Sequence, residues 1–85
     1  MDSKKLLSKY GIRSTEARNE IAKAIISLRR KHFCAEEIIV RLRKKGIKVS
    51  RASAYRVVKL FSTKGILRPV DLNKCWQMYE AAFDK

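Results

Sequence analysis

SRASAYRVVKLFSTKG, residues 50–65, is the stretch that decides the fold. Its apolar residues recur at a spacing that places them in one arc of a helix, at roughly 100° per residue. These core-facing positions are Ala54, Val57, Val58 and Phe61. The opposite arc has small, aromatic, cationic and hydroxyl side chains but no carboxylate, and it consists of Ala52, Tyr55, Arg56, Lys59 and Thr63. Because a helix face that only meets water usually mixes charges of both signs, we expect this face to contact a polyanion.

Both ends of this helix carry termination signals. Ser50 is a residue type that caps helix N-termini through its side-chain oxygen. Gly65, directly after Lys64, suits the left-handed conformation in which helices commonly end. The sequence therefore predicts one helix between residues 50 and 65.

The charge balance favours a nucleic acid as the partner. The chain has 85 residues, enough for one domain with a small core, and 21 Lys and Arg against 8 Asp and Glu give a net charge of +13. Between residues 38 and 70 no acidic residue occurs, while cations are frequent: Arg41, Arg43, Lys44, Lys45, Lys48, Arg51, Arg56, Lys59, Lys64 and Arg68. An acidic membrane surface is the second candidate partner, and a basic surface that serves only solubility is the plainest alternative.

Membrane insertion and a disulfide framework are both disfavoured. The longest uncharged apolar run, residues 24–28, is far shorter than the ~20 residues that a bilayer span requires. The N-terminus lacks the apolar segment of a signal peptide, so we expect a cytoplasmic protein. Cys34 and Cys75 form no CxxC pair, and both are expected to be reduced thiols.

Three helices are predicted before the stretch at 50–65. The first covers residues 3–10 and ends at Gly11. The second covers residues 15–30, with its apolar residues at helical spacing and cations in its last turn. The third covers residues 35–45, with Glu36 and Glu37 in its first turn and lysines in its last, which matches charge to the helix dipole at both ends. Because only about five residues separate it from the next helix, the two should form a helix-turn-helix.

The segment after Gly65 predicts a β-hairpin. Residues 66–72 and 75–80 favour strands around a turn at Asn73-Lys74, with Trp76 and Met78 on the inner face. Pro69 cannot donate a hydrogen bond, so the first strand should be irregular or lie at an edge. The predicted fold is therefore mainly α with a small β wing: a winged helix-turn-helix of three to four helices followed by a two-stranded antiparallel hairpin.

Several motifs, in order and at the right spacing, resemble the N-terminal DNA-binding domain of the ferric uptake regulator family. The sequence GIRST at 11–15, followed by Arg18, is similar to the family's G-L-x-x-T-x-x-R opening. HFCAEEI at 32–38 resembles H-x-S-A-E-E-I, and VSRASAYRVV at 49–58 resembles V-S-x-A-T-V-Y-R-x-L. KGIL at 64–67 and Tyr79-Glu80 resemble the helix end and the wing end. The resemblance implies a metal-responsive transcriptional repressor that binds double-stranded DNA, expected to be an AT-rich palindromic operator.

The outward face of the fourth helix carries the expected base contacts. Arg56 has a planar fork for the acceptors of guanine or for a phosphate, and Tyr55 offers a ring edge to thymine methyls. Ala52 is small enough for close approach of the helix, or for contact with a methyl itself. The resemblance also assigns base contacts to the Tyr-Arg pair. Phosphate contacts are expected from the remaining polar positions of this helix and its cap: Ser50, Arg51, Ser53 and Lys59. By resemblance alone, Arg13 is expected in the minor groove and Arg18 on a phosphate.

The departures from the family pattern concern packing, capping and length. Ser53 and Ala54 replace Thr-Val, which leaves a smaller side chain in the core. Cys34 replaces a serine at the cap of the third helix, which removes roughly 1 kcal/mol of capping. The family has a second domain for dimerisation and metal binding, which lies beyond residues 1–85, so we expect a fragment or a naturally short relative. The isolated domain should be a monomer, and a homodimer is expected where a second domain exists.

A metal site is implied by the resemblance only in part. His32 and Glu80 match two ligands of the family's regulatory site, whose remaining ligands come from the second domain. Since such sites generally need about four ligands, we expect this chain alone to hold no metal, or to bind one weakly at His32. A full-length relative would bind iron, zinc or manganese.

Three other functions compete with a specific regulator. One is an architectural protein that binds duplexes without sequence preference, and another is a winged helix used for protein contact. The third is an enzyme that cuts phosphodiesters with Tyr55 as nucleophile and His32 as acid. That chemistry needs several oriented cations in a water-excluding pocket, for which a chain of this size leaves little room, so no enzyme is expected.

Overall fold

Four helices are followed by a two-stranded antiparallel sheet in the computed structural model, which describes residues 2–71 and 76–83. The winged helix-turn-helix predicted from the sequence is confirmed. The elements are α1 (Ser3–Lys9), α2 (Glu16–Ser27), α3 (Ala35–Lys44), α4 (Arg51–Lys64), β1 (Leu67–Val70) and β2 (Met78–Ala81).

Helix α4 begins and ends where the sequence predicts. The Ser50 hydroxyl accepts a hydrogen bond from the backbone N–H of Ser53 at 3.1 Å, as an N-cap does. Gly65 ends the helix at φ 93°, and the N–H of Ile66 then donates to the carbonyl of Phe61 at 2.9 Å. All four apolar positions predicted for the core side of α4 are buried. The amphipathic interpretation of residues 50–65 is therefore confirmed.

All four helices and both strands contribute buried hydrophobic residues to the core, β2 through Met78 and Ala81. Its fully buried large side chains come from α1, α2, α3, α4, β1 and the loops beside them: Leu6, Leu7, Ile21, Ile25, Phe33, Ile38, Ile39, Leu42, Val58, Phe61, Ile66 and Leu67. Helix α4 packs against α2, α3 and β1 at once. This threefold contact fixes the direction in which its other face points.

Helix α2 is shorter than predicted. It ends at Ser27, with Leu28 as its cap, so the prediction that Arg29, Arg30 and Lys31 form its last turn is wrong. The apolar periodicity stops at Leu28, after which the chain must turn to bring Phe33 alongside β2. The Arg29 guanidinium nevertheless donates to the carbonyl of Ile26 at 2.9 Å, so a cation still lies at the negative end of the helix.

Helix α3 has the predicted charges but lacks a side-chain cap. Glu36 and Glu37 lie in its first turn, and its last turn holds Arg41, Arg43 and Lys44. Cys34 occupies the N-cap position and accepts no hydrogen bond through its side chain. The thiol is buried and free. The missing cap that the sequence predicts at Cys34 is confirmed.

Strands β1 and β2 pair with Leu67 opposite Ala81 and Val70 opposite Met78. Beyond β2 on the other side, Phe33 forms a β-bridge with Tyr79, in which each backbone N–H donates to the other residue's carbonyl, at 3.0 and 2.7 Å. Because Tyr79 bonds to Phe33, its partner Pro69 lies at a position that needs no N–H donor. Strand β1 is an edge strand in the described part of the chain, as Pro69 predicts.

The predicted inner face of the wing is only half correct. Met78 is buried, with 8% exposure, but Trp76 is 56% exposed, so its expected place on the inner face is wrong. Strand β2 begins only at Met78, and Trp76 therefore precedes the alternation of the strand. Its indole N–H donates to the Met78 sulfur at 3.1 Å. The predicted turn at Asn73-Lys74, the end of the first predicted strand and Cys75 lie outside the described residues.

No helix within residues 2–71 and 76–83 combines the length and hydropathy that a membrane span requires.

The empty cap of α3 yields a stability prediction. Serine at position 34 can accept a hydrogen bond from the N–H of Glu37, whereas alanine cannot, so Cys34→Ser should unfold with a free energy about 1 kcal/mol higher than Cys34→Ala. Urea denaturation followed by circular dichroism measures this difference. Comparing the two variants removes the shared effect of losing the buried sulfur. Equal stability of the two would contradict the assignment of Cys34 as the N-cap.

Candidate nucleic-acid interface

The outward face of α4 is accessible along its length. Ala52, Arg56, Lys59 and Thr63 are exposed, and Tyr55 is 46% exposed, so Tyr55 is not part of the core. Within residues 2–71 and 76–83, the side chains of Arg56 and Lys59 have neither an ion-pair nor a hydrogen-bond partner. Both cations can therefore contact a polyanion without breaking an internal bond.

Glu36 of α3 reaches the first turns of α4. Its Oε1 accepts a hydrogen bond from the hydroxyl of Tyr55 at 2.8 Å and forms an ion pair with the guanidinium of Arg51. Sequence reasoning assigned Glu36 only to the dipole of α3 and missed this contact. The short turn joins the end of α3 to the start of α4. No local signal in the sequence therefore indicated that the start of α3 also reaches α4.

The polar residues at the start of α4 differ in whether their donor groups are available to a phosphate. Arg51 is engaged with Glu36, although its side chain is 56% exposed. The Ser50 oxygen is used as the helix cap, but its hydroxyl hydrogen remains able to donate. Ser53 is half-buried.

Arg13 and Arg18 lie together at the start of α2. The guanidinium of Arg18 donates to the backbone carbonyl of Arg13 at 3.1 Å, and Thr15 caps the helix by accepting from the N–H of Arg18 at 3.2 Å. The start of α2 borders the turn that leads into α4. Residues of both segments line one groove: Glu16, Ala17, Glu20, Ile47, Lys48 and Val49. The structure thus places Arg13 and Arg18 next to each other, beside the start of α2 and not on α4.

A larger groove of about 410 Å³ runs beside Tyr55 and Lys59, between α4, the start of α3 and the wing. Trp76 and Gln77 form its wing side. Trp76, which sequence reasoning placed in the core, thus lies on the same side of the molecule as part of the outward face of α4.

His32 and Glu80 are brought together by the fold. The bridge between Phe33 and Tyr79 places their chain neighbours side by side, and His32 Nε2 lies 3.7 Å from Glu80 Oε2. The other oxygen of Glu80 accepts from Arg68, at 2.7 Å from its Nε. An imidazole and a carboxylate are donors that iron, zinc and manganese accept, so this pair fits part of a metal site. In the described part of the chain, no third His, Cys, Asp or Glu joins them.

Comparisons with known proteins agree with this architecture. The sequence profile of the Ferric uptake regulator family matches residues 9–85. The chain belongs to the ferric uptake regulator family. Its members are DNA-binding, metal-responsive transcription regulators rather than enzymes. No curated protein sequence matches the chain.

Three solved structures of ferric uptake regulator family members show the similarity. The ferric uptake regulator from Pseudomonas aeruginosa with manganese has 27% identity and a TM-score of 0.88, over 96% of this chain and 61% of that one. The regulator from Francisella tularensis with iron has 28% identity and a TM-score of 0.79, over 88% and 57%. A zinc-bound manganese uptake regulator has 30% identity and a TM-score of 0.83, over 100% and 64%. The chain spans about three fifths of the length of these relatives.

The contact between α3 and α4 can be tested through stability. Tyr55→Phe removes the hydroxyl that donates to Glu36 and should lower the free energy of unfolding by roughly 0.5 to 1 kcal/mol, because the bond is charge-assisted but partly exposed. In a Glu36→Ala background the same change should have almost no effect. Urea unfolding of the four proteins measures the coupling. An equal loss in both backgrounds would show that Tyr55 and Glu36 do not interact.

Proposed function

We propose that the chain binds double-stranded DNA sequence-specifically, as the DNA-binding domain of a metal-responsive transcriptional repressor. One observation carries the proposal: the outward face of α4 is exposed and cationic, while the opposite face is buried in the core. A helix held in this way can enter the major groove with its side chains directed at base edges. An AT-rich palindromic operator is the proposed target.

Base reading is assigned to the middle of α4. Arg56 is exposed and unpaired among the described residues, so its fork is available to the O6 and N7 acceptors of guanine. Tyr55 is held by Glu36 but keeps nearly half of its surface exposed, which leaves its ring able to contact thymine methyls. Ala52 precedes them on the same face and permits close approach of the helix backbone.

Phosphate contacts would fix the position of α4 on the duplex. Ser50, Arg51, Ser53 and Lys59 are proposed for this role, with Lys59 the cation that needs no rearrangement. Arg18 is proposed to contact a phosphate beside the start of α2. Arg13, which lies next to it, is proposed to enter the AT-rich minor groove, whose narrow walls deepen its negative potential.

Metal regulation would need more than this chain supplies. His32 and Glu80 would contribute an imidazole nitrogen and a carboxylate oxygen to a divalent iron, zinc or manganese ion in a full-length relative. Bound there, the ion would link the loop after α2 to β2. We propose that residues 1–85 form the DNA-binding domain, that this domain alone is a monomer, and that a second domain, where present, completes the metal site and makes a homodimer.

Two binding functions of another class remain to be separated from this one. An architectural protein would bind AT-rich palindromes and random duplexes equally well, so competition between them separates it from a specific regulator. A protein-contact module would use the same exposed face, but its affinity would hardly depend on salt.

Substituting two cations of α4 should produce different losses. Arg56→Ala should cost about 1 to 3 kcal/mol on the preferred duplex and relax base preference, because a bidentate base contact is lost. Lys59→Ala should weaken all duplexes alike, since phosphates carry no sequence information. Fluorescence anisotropy with a preferred duplex, obtained by selection from a random library, and with random DNA measures both. Arg43→Ala, which removes an exposed cation from α3, is the control for net charge. Equal losses on both duplexes for Arg56→Ala would refute its base-reading role.

The salt dependence of binding should be steep. If about 4 to 6 phosphates are neutralised, the logarithm of the association constant should fall with the logarithm of the salt concentration, at a slope of about −4 to −5. Anisotropy titrations at several potassium chloride concentrations give this slope. A slope near zero would instead support the protein-contact module.

A further inference from the structure

A carboxylate lies among the side chains that the proposed function directs at DNA. Glu36 Oε1 is bonded to Tyr55 and to Arg51, which are separated by one helical turn on α4. The Glu36 side chain is 41% exposed, so its charge is not shielded by burial. It also borders the large groove beside Lys59. A negative charge at this position repels DNA phosphates.

We propose that Glu36 is an affinity-lowering residue, which pairs with Arg51 and thereby competes with DNA phosphates for this cation. The inference rests on the proposed function and adds a residue of α3 to it. In the ion pair, the charges of Arg51 and Glu36 cancel at the end of α4 that approaches the DNA backbone. A phosphate that binds Arg51 therefore competes with the Glu36 carboxylate for the guanidinium.

The competition affects every duplex whose phosphates Arg51 contacts. Binding to arbitrary DNA depends almost entirely on phosphate contacts, and binding to a preferred sequence adds base contacts from α4 to them. Because Arg51 is proposed to contact a phosphate on the preferred duplex as well, Glu36 lowers affinity for both kinds of duplex.

The neighbouring glutamate provides a matched control. Glu37 also lies in the first turn of α3 and is exposed, and within the described ranges it has no ion pair and no side-chain hydrogen bond. Glu36→Gln and Glu37→Gln make the same change in net charge and in the interaction with the helix dipole. Glutamine at position 36 can still accept the bond from Tyr55, so the variant removes the charge and keeps the acceptor.

The experiment measures anisotropy with a random-sequence duplex and a selected duplex of equal length. Relative to Glu37→Gln, Glu36→Gln should bind the random duplex about five- to tenfold more tightly, with a salt slope steeper by about 1, because Arg51 gains a phosphate. Its affinity for the selected duplex should rise by a similar factor, because Arg51 is proposed to contact a phosphate there too. In an Arg51→Ala background, the difference between the two glutamine variants should disappear.

Two results would overturn the inference. One is equal random-duplex affinity for Glu36→Gln and Glu37→Gln, and the other is a difference that persists in the Arg51→Ala background. If the unsubstituted chain still prefers the selected duplex, either result refutes the role of Glu36 and leaves the proposed function intact. If the unsubstituted chain binds no duplex at all, the proposed function fails and the inference fails with it. Circular dichroism of each variant confirms that the fold is retained.

Discussion

Burial of one face of α4 is the constraint on which the rest of the structure depends. Ala54, Val58 and Phe61 are almost completely excluded from solvent, and α4 packs against three other elements. Rotating the helix by even one residue position, roughly 100°, would expose this apolar stripe and bury cations, which costs far more than any surface contact could return. The direction of Arg56 and Lys59 is therefore set by the core. The surface proposed for DNA is held in its direction by the packing of the opposite surface.

How much could be predicted from the sequence depended on how local the determining signal was. The bounds of α4 followed from Ser50, Gly65 and the periodicity between them, all within one segment. The end of α2 at Ser27 and the exposure of Trp76 were missed, because each depends on where the chain must travel to meet another element. For the candidate site, the outward face of α4 was predicted, but the contact from Glu36 was not. Helical periodicity says which residues share a face, and it does not say which side chain of a neighbouring helix reaches that face.

Pairings between distant segments also organise the remaining polar groups. The bridge between Phe33 and Tyr79 sets His32 beside Glu80, and the packing of α3 against α4 sets Glu36 beside Arg51. In both places an acidic residue of a basic chain lies against a cation or an imidazole. With a net charge of +13, the chain has few carboxylates to place. Glu80 lies at the surface proposed for metal, and Glu36 lies at the surface proposed for DNA.

The central claim, that α4 enters the major groove by its outward face, is tested most directly by NMR titration of the labelled chain with a duplex oligonucleotide. Backbone and side-chain signals of Ala52, Tyr55, Arg56 and Lys59 should shift most. Arg43 and Lys44 on α3 are equally basic and exposed, so they report on attraction by charge alone. Shifts concentrated on α4 support the account. Shifts that are as large on Arg43 and Lys44, or that leave α4 unmoved, would contradict it.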